Sequence, residues 1–242
     1  MILSGNKVLI TGGNKGIGLA LAKKFLKLNN QVIITGRNVE DLQAVKQCFP
    51  EIHIINCDLA TKEGLEKLTQ YIKKEHQDLN VLINNAGIQY NHTFAEDPEA
   101  IKKIEFETQI NFLAPVKLTA LLLPILEQNN NAAIVNVSSV LALVPKVVAP
   151  IYCANKAGLH IFTKTLRQQL KKVKVFEILP PLVDTAMTKG RGKNKITAEK
   201  LVDEFMIAFE KDRYEVRIGK VKLLLFLNRI SAGLASRIIN KD

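Results

Sequence analysis

The stretch KVLITGGNKGIG, Lys7–Gly18, decides the fold. An apolar run ends at Thr11, glycines follow at 12, 13, 16 and 18, and LALAKKFLKL then continues at helical spacing. A strand that turns sharply into a helix needs glycine, so that backbone N–H groups and the helix N-terminus can meet a pyrophosphate. Because the turn opens a βαβ unit, it reads as a phosphate cradle in preference to a simple packing turn.

Outward from this unit, short apolar runs alternate with helical stretches. The runs cover 7–11, 31–36, 53–57, 80–87, 132–139, 173–179 and 214–219. They are rich in Val and Ile with little polar alternation, as expected of parallel strands covered on both faces. Helices are predicted over 16–28, 39–48, 62–76, 97–127, 151–171, 197–211 and 220–239, with Asn38 and Thr61 as N-caps. Pro115 and Pro124 predict a bend or break within 97–127. Right-handed crossovers then give an α/β Rossmann fold, a doubly wound seven-stranded parallel sheet in the order 3-2-1-4-5-6-7 with helices on both faces. No Pro/Gly-rich linker appears, so residues 1–242 are expected to form a single domain.

Ligands in such sheets sit at the carboxyl ends of the strands. Thr11–Gly18, Gly36–Arg37, Asp58, Asn84–Gly87, Ser139 and Pro180–Thr185 all fall there. The second strand ends without the acidic residue that usually holds a ribose 2′-hydroxyl. Arg37 stands there instead, and Lys15 lies inside the glycine turn. Two cations at this corner suit a 2′-phosphate, which points to NADP(H) over NAD. In NNAG (Asn84–Gly87), asparagine amides can stitch neighbouring backbones while small residues admit a ribose.

YCANK places Tyr152 and Lys156 at i and i+4, on one helix face, with Ser139 thirteen residues before the tyrosine. An ammonium beside a phenol is expected to lower its pKa toward neutrality, as suits proton transfer at an alcohol or carbonyl oxygen. Ser139 is expected to face that oxygen and Ser138 the opposite side. Cys153 reads as an apolar filler, and His53, His76, His92 and His160 show neither ligand spacing nor a triad, so no metal site is expected.

The formal net charge is +11, with cations gathered in KGRGKNK (189–195) and in the last thirty residues. No nucleic-acid-binding pattern accompanies them, so no nucleic acid is expected as a partner. Three scattered cysteines, an N-terminus that reads directly into a strand, and the absence of an obvious membrane-length apolar run predict a reduced, cytoplasmic protein. Residues 186–200, with two glycines and a cluster of cations, are expected to form a substrate lid. Leu223, Leu227, Ile230, Leu234 and Ile238 make an apolar stripe along 220–239, flanked by Lys220, Lys222, Arg229 and Arg237. Such a helix packs on the core or a second subunit, or lies on an anionic membrane. Ile88, Gln89, Leu141 and Val144 are the expected pocket walls.

Together TGGNKGIG, NNAG, Asn111, Ser139 and YCANK resemble the short-chain dehydrogenase/reductase family over about residues 5–190. FLKLNNQVIITGRN, LINNAGIQ, PPLVDT and RIGKVKLLLFLNRIS are similar to its DltE-type branch, some of whose genes neighbour those for D-alanylation of teichoic acid. The family resemblance implies an oxidoreductase that moves hydride between a nicotinamide and a carbonyl or alcohol. On it, Tyr152 is the general acid/base, Ser139 the partner of the substrate oxygen, and Lys156 the ligand of the ribose hydroxyls. Asn111 would hold a water that links the lysine to solvent. The cofactor contacts it implies are Thr11, Gly12, Asn14, Lys15, Gly16, Ile17, Gly18, Arg37, Asp58, Leu59, Asn85, Ala86, Gly87, Pro180, Val183 and Thr185, besides Tyr152 and Lys156. Pro181 stands where most relatives have glycine. Relatives pair through long helices, which implies a homodimer or homotetramer. The alternatives are a cofactor-binding regulatory protein without turnover and an accessory protein in cell-envelope D-alanylation.

Overall fold

The computed structural model describes residues 1–91 and 93–241; His92 and Asp242 lie outside the described residues. Its strands are β1 (Lys7–Thr11), β2 (Gln31–Gly36), β3 (His53–Asn56), β4 (Val81–Asn84), β5 (Ala133–Val137), β6 (Lys174–Leu179) and β7 (Glu215–Arg217). They form a parallel sheet in the order β3-β2-β1-β4-β5-β6-β7, the order expected from the sequence.

The pleat divides these strands between two apolar layers. Val8, Ile10, Val32, Ile34, Val81, Ile83 and Phe176 face one side, where α1 (Gly16–Lys27), α2 (Val39–Cys48) and α7 (Ala198–Glu210) pack. Leu9, Ile33, Leu82, Ile134 and Val175 face the other, against α3 (Lys62–Glu75), α5 (Ala114–Leu126) and α6 (Pro150–Gln169). Burial on both sides explains why the strands read as unbroken apolar runs. Phe25, Phe176, Phe205 and Phe209 are fully buried on the first side, each contributing about 2–3 kcal/mol of burial.

The long helical stretch is interrupted where the prolines predict trouble. α4 (Ala100–Thr108) passes through a π-helical turn, Gln109–Leu113, into α5. Pro115 has no N–H to give the carbonyl of Asn111, four residues back, so the chain widens there; Pro124 sits inside α5. Ala100–Leu126 has the length and hydropathy of a membrane span, contrary to the expectation that no run approaches that length. Half of its most apolar window is buried in the fold, as befits a helix packed on a sheet.

The C-terminal segment departs from the single helix predicted over 220–239. It forms α8 (Val221–Ile230) and α9 (Ala232–Ile239), separated by Ser231 in extended conformation, whose Oγ accepts from Leu234 N at 3.3 Å. The predicted stripe does not face the core. Val221, Leu225 and Ala235 pack there instead, on Val140, Val144 and Leu179, while Leu223, Ile230, Leu234 and Ile238 are exposed.

Candidate active site

A cleft of about 1180 Å³ opens along the carboxyl ends of the central strands. One wall is the turn between β1 and α1. Gly12 and Gly16 hold positive φ (63° and 53°), a conformation that side chains other than glycine rarely adopt. A Cβ on Gly18 would collide with the carbonyl of Gly12, so the helix approaches the strand only because position 18 has no side chain. The adjoining wall is stitched by Thr11 and Asn85. Thr11 Oγ1 accepts from the backbone of Asn85 and Ala86 (2.9 and 3.0 Å), and Asn85 Nδ2 donates to the carbonyls of Thr11 and Gly12 (2.9 and 3.1 Å).

Most of the cofactor contacts implied by the sequence line this cleft: Gly12, Asn14, Lys15, Gly16, Ile17, Arg37, Asp58, Leu59, Asn85, Ala86, Gly87, Tyr152, Lys156, Pro180, Val183 and Thr185. Thr11 and Gly18 do not. Thr11 is buried behind the wall it ties together, and Gly18 is pressed against Gly12. Of the expected pocket walls, Ile88, Gln89 and Leu141 face the cleft, whereas Val144 is spent on the core beneath α8 and α9.

At the far corner Arg37 lies 5.6 Å above the ring of Phe106. Lys15 is not a free cation there: Asp41, in the first turn of α2, reaches it at 2.7 Å. The sequence placed no carboxylate at the end of β2, but Asn38 caps α2 by accepting from Asp41 N, and this turns Asp41 back toward the glycine turn.

At the near end, α6 starts at Pro150 and carries Tyr152 in its first turn and Lys156 one turn later, both buried. Ser139 adjoins the Tyr152 phenol, and its Oγ accepts from Leu141 N at 3.1 Å. Ser138, its neighbour, donates to the carbonyl of Lys156 at 3.3 Å and so braces α6 from the strand. Lys156 Nζ donates to the carbonyl of Val137 at 2.8 Å and lies 5.7 Å from the tyrosine ring centre. Asn111, in the π turn, is spent on Ile88: it accepts from that residue's N–H at 2.9 Å and donates to its carbonyl at 2.8 Å. Asn111 thus stands behind the wall.

The electrostatics correct one expectation. Burial pushes the Tyr152 phenol up to about 12, with the neighbouring Ser139 hydroxyl opposing, and burial pulls the Lys156 ammonium down to about 8. Removing both charges from water outweighs their proximity, so the spacing alone does not acidify the phenol.

Two carboxylates that the sequence reading passed over lie near the lysine. Glu107 is fully buried. Its Oε1 accepts from Tyr90 N at 3.3 Å, and its Oε2 has no hydrogen-bond partner among the described residues. Burial pushes this carboxyl up to about 7, while the charges of Lys156 and Arg191 oppose the shift. Glu177, in the middle of β6, meets His160 Nδ1 at 2.8 Å, and both side chains are buried. Both carboxylates favour the charged form of Lys156. The signals were a glutamate four residues before Asn111 on one helix face, and a charge inside the apolar run KVFEIL.

The expected lid is shorter than 186–200, because Thr197 caps α7 and takes 198–200 into that helix. The base of the loop is pinned by Ile196, which donates to the carbonyl of Leu182 and accepts from Asp184 N. Arg191 reaches across the cleft and donates to the carbonyl of Gln89 at 3.3 Å.

The family described as short chain dehydrogenase matches residues 6–196, and the chain belongs to it. Within that family it is of the DltE type. It is 44% identical over 230 residues to an uncharacterized oxidoreductase, DltE, of Bacillus subtilis, covering 92% of this chain and 91% of that one. A short chain dehydrogenase of Burkholderia cenocepacia, solved with NADP, superposes with a TM-score of 0.85 at 26% identity, over 98% of both chains. The Burkholderia phymatum short chain dehydrogenase/reductase, solved with NAD, gives 0.85 at 19% identity, over 97% of this chain and 96% of the other. The chain is therefore an oxidoreductase of this family, whose neighbours in structure hold nicotinamide cofactors.

Proposed function

We propose that this protein is an NADP(H)-dependent oxidoreductase that reduces a carbonyl or oxidises an alcohol, with Tyr152 moving the proton. The observation that carries the reading is the phenol of Tyr152 on the cleft wall, beside Ser139 and with Lys156 one helical turn behind it. A dinucleotide fits this cleft, because the wall at Gly12, Gly16 and Gly18 keeps its shape only without side chains and leaves backbone N–H groups at the start of α1. Gly12, Asn14, Gly16 and Ile17 would hold the pyrophosphate, Asp58 and Leu59 the adenine, and Val183 and Thr185 the carboxamide. When bound there, the nicotinamide supplies or accepts the hydride.

The chain's own residues then handle the substrate oxygen. Ser139 donates to it and fixes its position beside the phenol. Tyr152 gives that oxygen a proton as the carbonyl becomes an alcohol, or takes one in the reverse direction. A phenol raised to about 12 holds its proton at neutral pH, which suits the donor role and reduction. Lys156 keeps a positive charge beside the phenolate left behind, supported by Glu107 and Glu177. Asn111 fixes Ile88 and the adjacent wall.

NADP(H) is favoured over NAD by Arg37 at the end of β2, with Lys15 contributing less because Asp41 already answers its charge. The free thiols of Cys48, Cys57 and Cys153 suit a reduced cytoplasm. Leu121 and Ile161 stand exposed on α5 and α6, the helices through which a homodimer or homotetramer would pair.

Tyr152→Phe tests the mechanism. Turnover of NADPH with an active carbonyl substrate is expected to fall about a thousandfold while NADPH affinity stays within about twofold. Undiminished kcat in that variant would remove the tyrosine from the reaction. Tight NADPH binding without turnover in the parent enzyme, across aldehydes, ketones and quinones, would favour a binding protein.

A further inference from the structure

We propose that the outer face of α8 and α9 docks on an anionic lipid bilayer. These two helices pack on each other and turn only Val221, Leu225 and Ala235 fully inward. Their other face leaves Leu223 59%, Phe226 60%, Ile230 68%, Leu234 46% and Ile238 43% exposed, more large apolar surface than a solvated helix needs. The spacing 223, 226, 230 keeps these side chains on one side of α8, opposite Val221 and Leu225.

Charge selects the occupant. Lys222, Arg229 and Arg237 adjoin Leu223, Ile230 and Ile238 in sequence and so project about a quarter turn round the helix from them, which sets cations along the border of the apolar face. Among the described residues none of these three cations enters an ion pair or a side-chain hydrogen bond. No Asp or Glu occurs from Val216 to Lys241. In a two-fold pair of chains this patch would meet itself, setting the cations against their own copies without an acid to answer them. An anionic bilayer presents phosphate groups and acyl chains within about 5–10 Å of each other, and an in-plane helix with neighbouring cations and Phe/Leu matches both layers. The docking does not rest on the catalytic reading, but Ile238 also lines the cleft, so a docked molecule would hold the cleft mouth at the membrane surface.

The test is co-sedimentation of the full chain with vesicles of phosphatidylcholine alone and of phosphatidylcholine and phosphatidylglycerol in equal parts, at low and high salt. Binding is expected only to the anionic vesicles, falling with salt. The triple variant Lys222→Glu/Arg229→Glu/Arg237→Glu is expected to bind at least a hundredfold more weakly, about fivefold per cation lost and more for the reversal. Phe226→Asp, at an exposed position that leaves the core intact, is expected to abolish binding while the melting temperature and NADPH affinity stay at parental values. Absence of binding to anionic vesicles overturns the proposal, as does binding that survives either variant. A parental dimer that Phe226→Asp converts to monomer, with no vesicle binding, assigns the face to a second copy and overturns it equally.

Discussion

The inner wall of the cleft and its rim are built on opposite principles. On the inner wall, polar side chains are buried and bonded to one another: Asn84 Nδ2 donates to Asn136 Oδ1 at 2.8 Å, and Asn136 Nδ2 to Thr163 Oγ1 at 2.8 Å. Ser138 ties β5 to α6, and Lys156 is anchored on the carbonyl of Val137. Around the rim, cations stand in water. Lys15 pairs with Asp41, Arg37 rests over Phe106, and those on α8 and α9 have no partner among the described residues. A buried polar group without a partner costs about 1–3 kcal/mol, so the inner wall must complete itself within the chain, whereas hydrated charges can wait for a ligand. The contrast predicts that inner-wall substitutions change stability and turnover, and rim substitutions change preference and location.

The largest stability effect should come from Glu107, a buried inner-wall group left incomplete and able to titrate. Its carboxyl, ordinarily near 4.5, is raised to about 7. The folded protein therefore keeps a proton that the unfolded chain gives up near 4.5. Stability should fall as pH rises between these values and level off above about 7, a loss of about 3 kcal/mol from this one group. Glu107→Gln keeps the acceptor for Tyr90 N and removes the titration, so urea unfolding should show that slope in the parent and not in the variant. Identical slopes would mean that Glu107 ionises as freely as a surface carboxylate, which would break the contrast.

Arg37→Asp probes the rim. The ratio of kcat/KM with NADPH to that with NADH is expected to fall about a hundredfold, with stability almost unchanged. An unchanged ratio would leave Arg37 as a solvated cation stacked on Phe106.

Ser231→Ala carries the smallest effect. Losing the cap on α9 should cost about 1 kcal/mol locally, read as about fivefold faster amide hydrogen exchange across α9 with the central strands unaffected. Equal acceleration in the strands would show that the C-terminal pair unfolds together with the sheet.

The strands, the glycine turn and the Tyr152–Lys156 pair were legible in the sequence because each rests on local chemistry, while the strand order followed from the right-handed crossover rule. Period, glycine tolerance and the i, i+4 rule act over a few residues, whatever surrounds them. The π turn was half legible: Pro115 announced an interruption, but not that it would carry Asn111 to Ile88. Other features belonged to tertiary structure alone. Asp41 finds Lys15 because α2 packs where it does, Arg191 finds Gln89 across a cleft, and the tyrosine's proton affinity depends on how much water the whole fold removes. Which side of the C-terminal helices turns inward, Val221, Leu225 and Ala235 in place of the expected stripe, was decided by the surface they pack on. Local pattern fixes which elements form, but burial and charge are sums over every neighbour, and those sums exist only once the chain has folded.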